Sequence, residues 1–174
     1  MNVPLARWTL FLPSPGCAQV WRRNFLVWRK TSLASLVGNL GEPLLTLLAM
    51  GYGLGRFVGD LEGTPYLLFV TAGLLATSSM NTASFEALYG SFTRMTRQNT
   101  FVAMLVTPLS VADIVAGEIL WAAGKGFFAG LCILLVGMVL SPIPLVSALL
   151  ILPLMLLSGI LFAALAMVAT ALSP

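Results

Sequence analysis

Four ionisable side chains sit inside stretches that are otherwise apolar: Glu42, Glu86, Glu118 and Lys125. Each costs on the order of 2.5–3.5 kcal/mol at the centre of a bilayer on insertion scales, so such groups face protein or water. Two kinds of chemistry fit them. One is a polar pathway along which a cargo moves, the other is pairing between helices that fixes their packing, and the sequence leaves both open. Glu118 and Lys125 are seven residues apart, on one helix face but two turns from each other, too far for a direct pair. Glu86 lies near the end of its apolar stretch, where snorkelling or water makes its charge cheap. Glu42 precedes Pro43, whose ring frees a backbone carbonyl one turn earlier and favours a kink.

Other site chemistries lack their residues. There is no histidine, and of the two cysteines, Cys17 and Cys132, the second is deep inside an apolar run. Zinc, haem and His-dependent acid/base chemistry are therefore excluded or strongly disfavoured, and no disulfide is expected. Gly124-Lys125 would need Gly at position 119 and Ser or Thr at 126 to form a phosphate-binding loop, but those positions hold Ile119 and Gly126. No Gly-x-Ser-x-Gly turn marks a serine as an activated nucleophile. The chain reads as no enzyme, with no catalytic residues, no metal site and no cofactor of its own.

The elements that carry the four charges follow from composition. Of the 174 residues, 59% are hydrophobic and 9% charged, with a mean hydropathy of +0.98, well outside the range of soluble domains. From Gly126 to Pro174 there is no Asp, Glu, Lys or Arg at all. A bilayer core of about 30 Å needs roughly 20 mostly apolar residues in a helix. Four windows of that kind appear: Leu33 to about Phe57, Pro65 to about Leu88, Ala112 to Leu140 and Leu145 to Leu172. The breaks are Asp60–Thr64, Tyr89–Val111 and Ser141-Pro142-Ile143-Pro144. The expected fold is all-α: a polytopic membrane protein of about four spans, with residues 1–32 as an N-terminal interfacial segment and 89–111 as a long connection.

Basic residues are retained in the cytoplasm during insertion. Arg7, Arg22, Arg23, Arg29 and Lys30 precede the first span and Arg94 and Arg97 lie in the second connection, whereas the first connection has only Arg56 at its edge. Both termini are thus expected inside, in a multi-pass protein. No nucleic-acid partner is expected. Ser14-Pro15-Gly16-Cys17 faintly resembles a lipoprotein cleavage site but lacks a Leu three residues before the Cys, so cleavage is not expected.

From Val20 to Lys30, Trp21, Phe25 and Trp28 recur at i, i+4 and i+7, with Arg22, Arg23, Arg29 and Lys30 on the opposite arc. That pattern predicts a short amphipathic helix in the interface, with Trp21, Arg22, Arg23, Phe25 and Trp28 as its anchor, or else a basic topology signal flanked by chance aromatics. Glycines four apart, Gly51 and Gly55, then Gly126 and Gly130 with Gly137 two turns on, mark faces that a second helix can approach closely. In the connection, Asn99 or Thr100 can cap a short helix from Phe101 to Val106 that Pro108 ends. With Phe101, Met104 and Leu105 exposed, such a helix needs a partner protein, or the membrane surface, to cover it.

At this connection the chain resembles the membrane subunits of type-2 ABC exporters, in the nodulation-type branch of the polysaccharide and lipo-oligosaccharide export permeases. The resemblance is carried by Trp21-Arg22-Arg23-Asn24-Phe25-Leu26-Val27-Trp28-Arg29-Lys30, Gly38-Asn39-Leu40-Gly41-Glu42-Pro43-Leu44, Arg94-Met95-Thr96-Arg97-Gln98, Leu105-Val106-Thr107-Pro108-Leu109-Ser110 and Asp113-Ile114-Val115-Ala116-Gly117-Glu118-Ile119-Leu120-Trp121-Ala122-Ala123. It implies a permease subunit of an ATP-driven exporter in a bacterial inner membrane, acting as a homodimer on an amphipathic, nodulation-factor-type saccharide. It also implies a separate ATPase subunit that uses ATP and Mg and receives the loop from Arg94 to Pro108, with Arg94, Arg97, Gln98, Phe101, Leu105 and Pro108 as coupling residues. Family members usually carry an acidic residue near Val102 or Ala103, which this chain lacks, and continue through two further spans. The resemblance therefore implies a C-terminally truncated permease or a fragment, expected to insert but not to transport alone. Two other readings stand beside it: an ion-coupled carrier titrating Glu42, Glu118 and Lys125, and a nonfunctional or regulatory membrane fragment.

Overall fold

The computed structural model describes residues 14–61, 63–140 and 143–172; the side chains of residues 33–40, Glu42 and Leu61 lie outside the described set. Six helices account for nearly all of it. Helix α1 (Gly16–Thr46) begins where the Ser14 hydroxyl accepts the Gly16 N–H at 3.1 Å, and it runs through Pro43. It then widens into π turns over Leu47–Leu54 and closes as α2 (Gly55–Val58). A two-residue ribbon follows, with β1 (Asp60–Leu61) antiparallel to β2 (Thr64–Pro65). Its corners are Gly59 (φ 70°) and Gly63 (φ 80°), left-handed positions where a Cβ would clash with its own backbone. Helix α3 (Tyr66–Phe85) continues through π turns at Glu86–Gly90 and Thr93–Arg97. The short α4 (Thr100–Leu105), then α5 (Val111–Leu140) and α6 (Leu145–Leu172), complete the chain.

Only α5 and α6 are both long enough and apolar enough to cross a bilayer by length and hydropathy among the described residues. Their limits match the third and fourth expected spans within a residue. The expected boundary at 32/33 is different: α1 passes straight through it. Thr31 and Ser32 do not interrupt the helix, because their hydroxyls donate back to the carbonyls of Trp28 and Arg29 at 3.3 and 3.0 Å. The expected end of the second span near Leu88 is also passed, and residues 89–97 are helical rather than part of a loop. Ser91 and Arg94 anchor this extension to α5, as described below.

Helix α5 is the hub, packed by α1 on one side and by α3 and α6 on others. Its buried line includes Ile114, Gly117, Glu118, Trp121, Ala122, Gly126, Ala129, Gly130, Ile133 and Gly137. The glycines are where neighbours come closest. A Cβ on Gly126 would lie 2.5 Å from the Ser79 carbonyl oxygen of α3, one on Gly137 would lie 2.6 Å from Thr71 Cγ2, and one on Gly130 would collide with Met155 of α6. On Gly117 it would meet Val20 of α1 at 2.6 Å. Between these contacts lie three small cores: Leu75, Ile133, Leu134, Ala148 and Met155; Ala83, Ala87, Ala122, Ala163 and Ala166; and Val20, Met104 and Ile114. The outward face of α6 is a run of exposed leucines, Leu149, Leu150, Leu154, Leu157, Leu161 and Leu165, a surface suited to hydrocarbon rather than water.

The start of α5 is a capping box. Ser110 Oγ accepts the Asp113 N–H at 3.1 Å, while Asp113 Oδ2 accepts the Ser110 N–H at 3.0 Å and its hydroxyl at 2.6 Å. The other carboxylate oxygen of Asp113 accepts the Ser14 N–H at 3.1 Å, which ties the start of α1 to the start of α5.

Candidate functional site

Three of the four singled-out charges meet around a residue that the sequence places in a loop. Arg94, on the extension of α3, donates from Nη2 to Glu118 Oε2 at 2.6 Å and to Glu86 Oε1 at 2.9 Å, and from Nε to Glu118 Oε2 at 3.0 Å. Glu86, two turns before Arg94, accepts Lys125 Nζ at 2.7 Å on Oε2 and the Trp121 indole N–H at 2.9 Å on Oε1. Glu118 is completed by the Ser91 hydroxyl at 2.8 Å and by Asn24 Nδ2 of α1 at 2.8 Å. Arg23 donates in turn to Asn24 Oδ1 at 3.1 Å. The result is a chain, Lys125–Glu86–Arg94–Glu118–Asn24–Arg23, across α5, α3 and α1.

The Glu118 side chain is fully buried, and those of Glu86, Arg94 and Lys125 are 13, 15 and 17% exposed. Burial works against the charge of Arg94, and the carboxylates of Glu118 and Glu86 compensate it. In the ion-paired core Glu86 and Glu118 balance Arg94 and Lys125, and Arg23, joined through Asn24, adds one positive charge. Glu118 and Lys125 do not touch, as their spacing requires; Glu86 and Arg94 bridge between them. Glu86 is mostly buried beside two open cavities, and two cations and an indole compensate its charge. The side chain of Glu42 lies outside the described residues.

Two open cavities flank the cluster. One, of about 460 Å³, lies between α3 and the Pro43–Thr46 end of α1; the other, of about 440 Å³, lies between α1 and the α3 extension. They share Glu86, Tyr89, Gly90 and Lys125 as a common wall.

The remaining singled-out residues fall into two groups. In the first, Trp21 stacks on Phe25 (5.5 Å between centroids) and meets Trp121 edge-on at 6.3 Å, while Trp28 meets Trp121 and Phe128 edge-on at 6.1 and 5.8 Å. The aromatic arc of α1 therefore packs largely on α5, with Trp21 still 38% exposed; Arg22 is exposed and Arg23 partly buried. The second group surrounds α4. Asn99 occupies its N-terminal cap with φ 50° but no side-chain cap bond, and the Asn99 carbonyl accepts the Ala103 N–H instead. Phe101 and Met104, expected to be exposed, turn inward onto Val20, Ile114 and Leu109, because the α1 start lies beneath this turn. The exposed apolar face is Val102, Leu105 and Val106, at 62, 47 and 86%; Arg97, Gln98 and Pro108 are exposed around it. A cleft of about 720 Å³ separates α4 from the first turns of α1.

Sequence reasoning missed Asn24, Ser91 and Trp121 as ligands of the cluster, and Asp113 as a tie. A signal for a missing partner was present in Glu118 itself, since a carboxylate two turns inside a membrane helix requires a cation from another helix.

Comparison with known proteins places this geometry. The sequence profile of the ABC-2 type transporter family matches residues 16–174. Nodulation protein J of Rhizobium meliloti (strain 1021) is 45% identical over 172 residues, 96% of this chain and 66% of the relative. That of Bradyrhizobium diazoefficiens is 47% identical over 155 residues, 89% of this chain and 59% of the relative. The inner membrane transport permease YadH of Escherichia coli (strain K12) is 23% identical over 123 residues, 71% of this chain and 48% of the relative. The chain thus spans less than two thirds of the length of these curated relatives, and no solved structure gives a significant match. With an apolar outer surface, a charge cluster held between helices and a profile match over nearly its whole length, the chain belongs to the ABC-2 type transporter family of membrane proteins.

Proposed function

We propose that the chain is the membrane-spanning permease part of an ATP-driven exporter for an amphipathic, nodulation-factor-type lipo-oligosaccharide, with ATP hydrolysed by a separate subunit. In this reading α1 with its π-helical continuation, α3, α5 and α6 supply four spans. Both termini are cytoplasmic, the membrane is a bacterial inner membrane, and two copies of the permease flank the cargo. The α4 turn faces the cytoplasm.

The observation that carries the reading is the apolar tip of α4. Val102, Leu105 and Val106 are exposed on a turn whose other face is held by Val20, Met104 and Ile114, and which follows the segment anchored by Arg94 to Glu86 and Glu118. A partner pressing on this tip therefore pushes on a rigid connection into α3 and α5, which is what coupling of hydrolysis to helix movement requires. Exposed apolar groups on a turn bordered by Arg97 and Gln98 favour a protein partner. The ion-coupled alternative lacks such support, since Glu118 and Lys125 are both committed to internal partners.

The test is association with the ATPase. Leu105→Asp and Val102→Asp should abolish co-purification of the ATPase subunit while leaving membrane insertion intact. Unchanged co-purification by both variants would remove α4 from the interface.

A further inference from the structure

Helix α3 presents an exposed line at four-residue spacing: Thr77, Asn81, Phe85 and Tyr89. The two rings stack on each other, 5.5 Å between centroids and 18° between planes, yet remain 61 and 64% exposed. Two stacked rings, each more than half exposed, form an apolar platform. Its rim is polar: the 460 Å³ cavity that Phe85 and Tyr89 border is also lined by Thr77, Asn81, Glu86 and Lys125, and Tyr89 borders the second cavity as well.

Acyl chains are a poor match for this surface. The Asn81 amide is exposed and makes no hydrogen bond among the described residues, and hydrocarbon offers it none. A pyranose ring matches better, because one face is a patch of C–H groups and the edge is a ring of hydroxyls that both donate and accept. Amide, carboxylate, ammonium and hydroxyl groups around the platform complement such an edge. The cavity volume lies in the range of small-molecule sites, about 300–1,000 Å³. Charge narrows the class further. Among the described residues that line this cavity the charged side chains are Glu86 and Lys125, paired with each other at 2.7 Å, so the wall supplies hydrogen bonds without favouring an anion.

We infer that Phe85 and Tyr89, with Asn81 and the Glu86–Lys125 pair at their edge, form a subsite for a neutral pyranose unit of the cargo. This rests on the saccharide reading of the preceding section and adds to it the place and the charge class of the sugar.

The experiment is a binding titration of the protein in lipid nanodiscs, free of glycoside detergent, with a fluorescently labelled neutral tetramer of N-acetylglucosamine. A tetramer of galacturonic acid serves as the anionic comparison. The neutral tetramer should bind more tightly than the acidic one. Tyr89→Leu, which keeps apolar bulk but loses the ring, should weaken binding by about 10-fold. Tyr89→Phe, which keeps the ring, should restore it to within about 2-fold of the native protein. An unchanged melting temperature for both variants separates loss of the subsite from loss of fold. Equal affinity in Tyr89→Leu, tighter binding of the acidic tetramer, or no binding of the neutral tetramer by the native protein would each overturn the inference. None of those results touches the permease reading, which is tested by ATPase association and ATP-driven transport; conversely, binding without ATPase association would sink that reading and leave the subsite standing.

Discussion

Replacing Arg94 by Met should be among the most damaging single changes available in this chain, and a second change should reverse most of the damage. Arg94 supplies two of the four donors to Glu118 and one of the three donor groups around Glu86. Methionine fills similar volume and removes the charge. Glu118, fully buried, is then left as an anion with only the Ser91 hydroxyl and the Asn24 amide, both neutral. Glu86 keeps Lys125 and the Trp121 indole, so the cost falls on Glu118. Removing one partner of a buried ion pair costs about 3–5 kcal/mol, because the other charge remains desolvated. The double variant Arg94→Met/Glu118→Gln removes both charges and leaves a Gln whose oxygen can accept from Asn24 and whose amide can donate to the Ser91 hydroxyl, so it should lie within about 1–2 kcal/mol of the native protein. Equilibrium unfolding of the protein in mixed detergent micelles, followed by near-ultraviolet circular dichroism, reads both values. The Arg94→Met and Glu118→Gln singles then complete a double-mutant cycle. If Arg94→Met costs less than about 1 kcal/mol, or the double variant is worse than the single, the cluster does not hold these helices together as described.

Helix approach gives a second expectation. Gly126→Leu should destabilise by at least about 1–3 kcal/mol, since even a Cβ there meets the Ser79 carbonyl at 2.5 Å, while Gly73→Ala, with nothing within 4 Å, should be neutral or mildly stabilising in the same unfolding assay. Asp113→Ala removes the capping box and the tie to Ser14; it should cost about 0.5–2 kcal/mol and make the start of α1 more sensitive to limited proteolysis. For topology, in a background without Cys17 and Cys132, a cysteine at Glu62 should react with an impermeant thiol reagent added from outside and one at Gln98 should not; the opposite pattern would invert the protein.

The parts of the fold legible in the sequence were those where composition alone decides. Helices α5 and α6 stand at the expected limits because Ser110 and Asp113 cap the start of α5 and the apolar runs on either side of Pro144 fix the rest. The glycine spacing on α5 marked real close approaches, since absence of a side chain is a property of the residue and not of its partners. What stayed hidden depends on partners. The apolar window opens at Leu33, yet Thr31 and Ser32 bond back to their own helix and α1 runs through that point. Period alone set Glu118 and Lys125 on one face but could not say that Glu86 and Arg94 from another helix stand across from it. The same limit applies to α4: its pattern gives an apolar helix, but only the nearby Val20 and Ile114 decide that Met104 turns inward while Leu105 and Val106 remain outside.

The most direct measurement of the exporter reading is transport in inverted membrane vesicles carrying the permease, in its full family length with these residues in place, together with its ATPase subunit. A radiolabelled lipo-oligosaccharide should accumulate inside the vesicles when ATP is supplied, persist when an uncoupler collapses the proton gradient, and fall to background with Leu105→Asp. Accumulation that needs no ATP and disappears with the uncoupler would contradict the account and return the protein to the class of ion-coupled carriers.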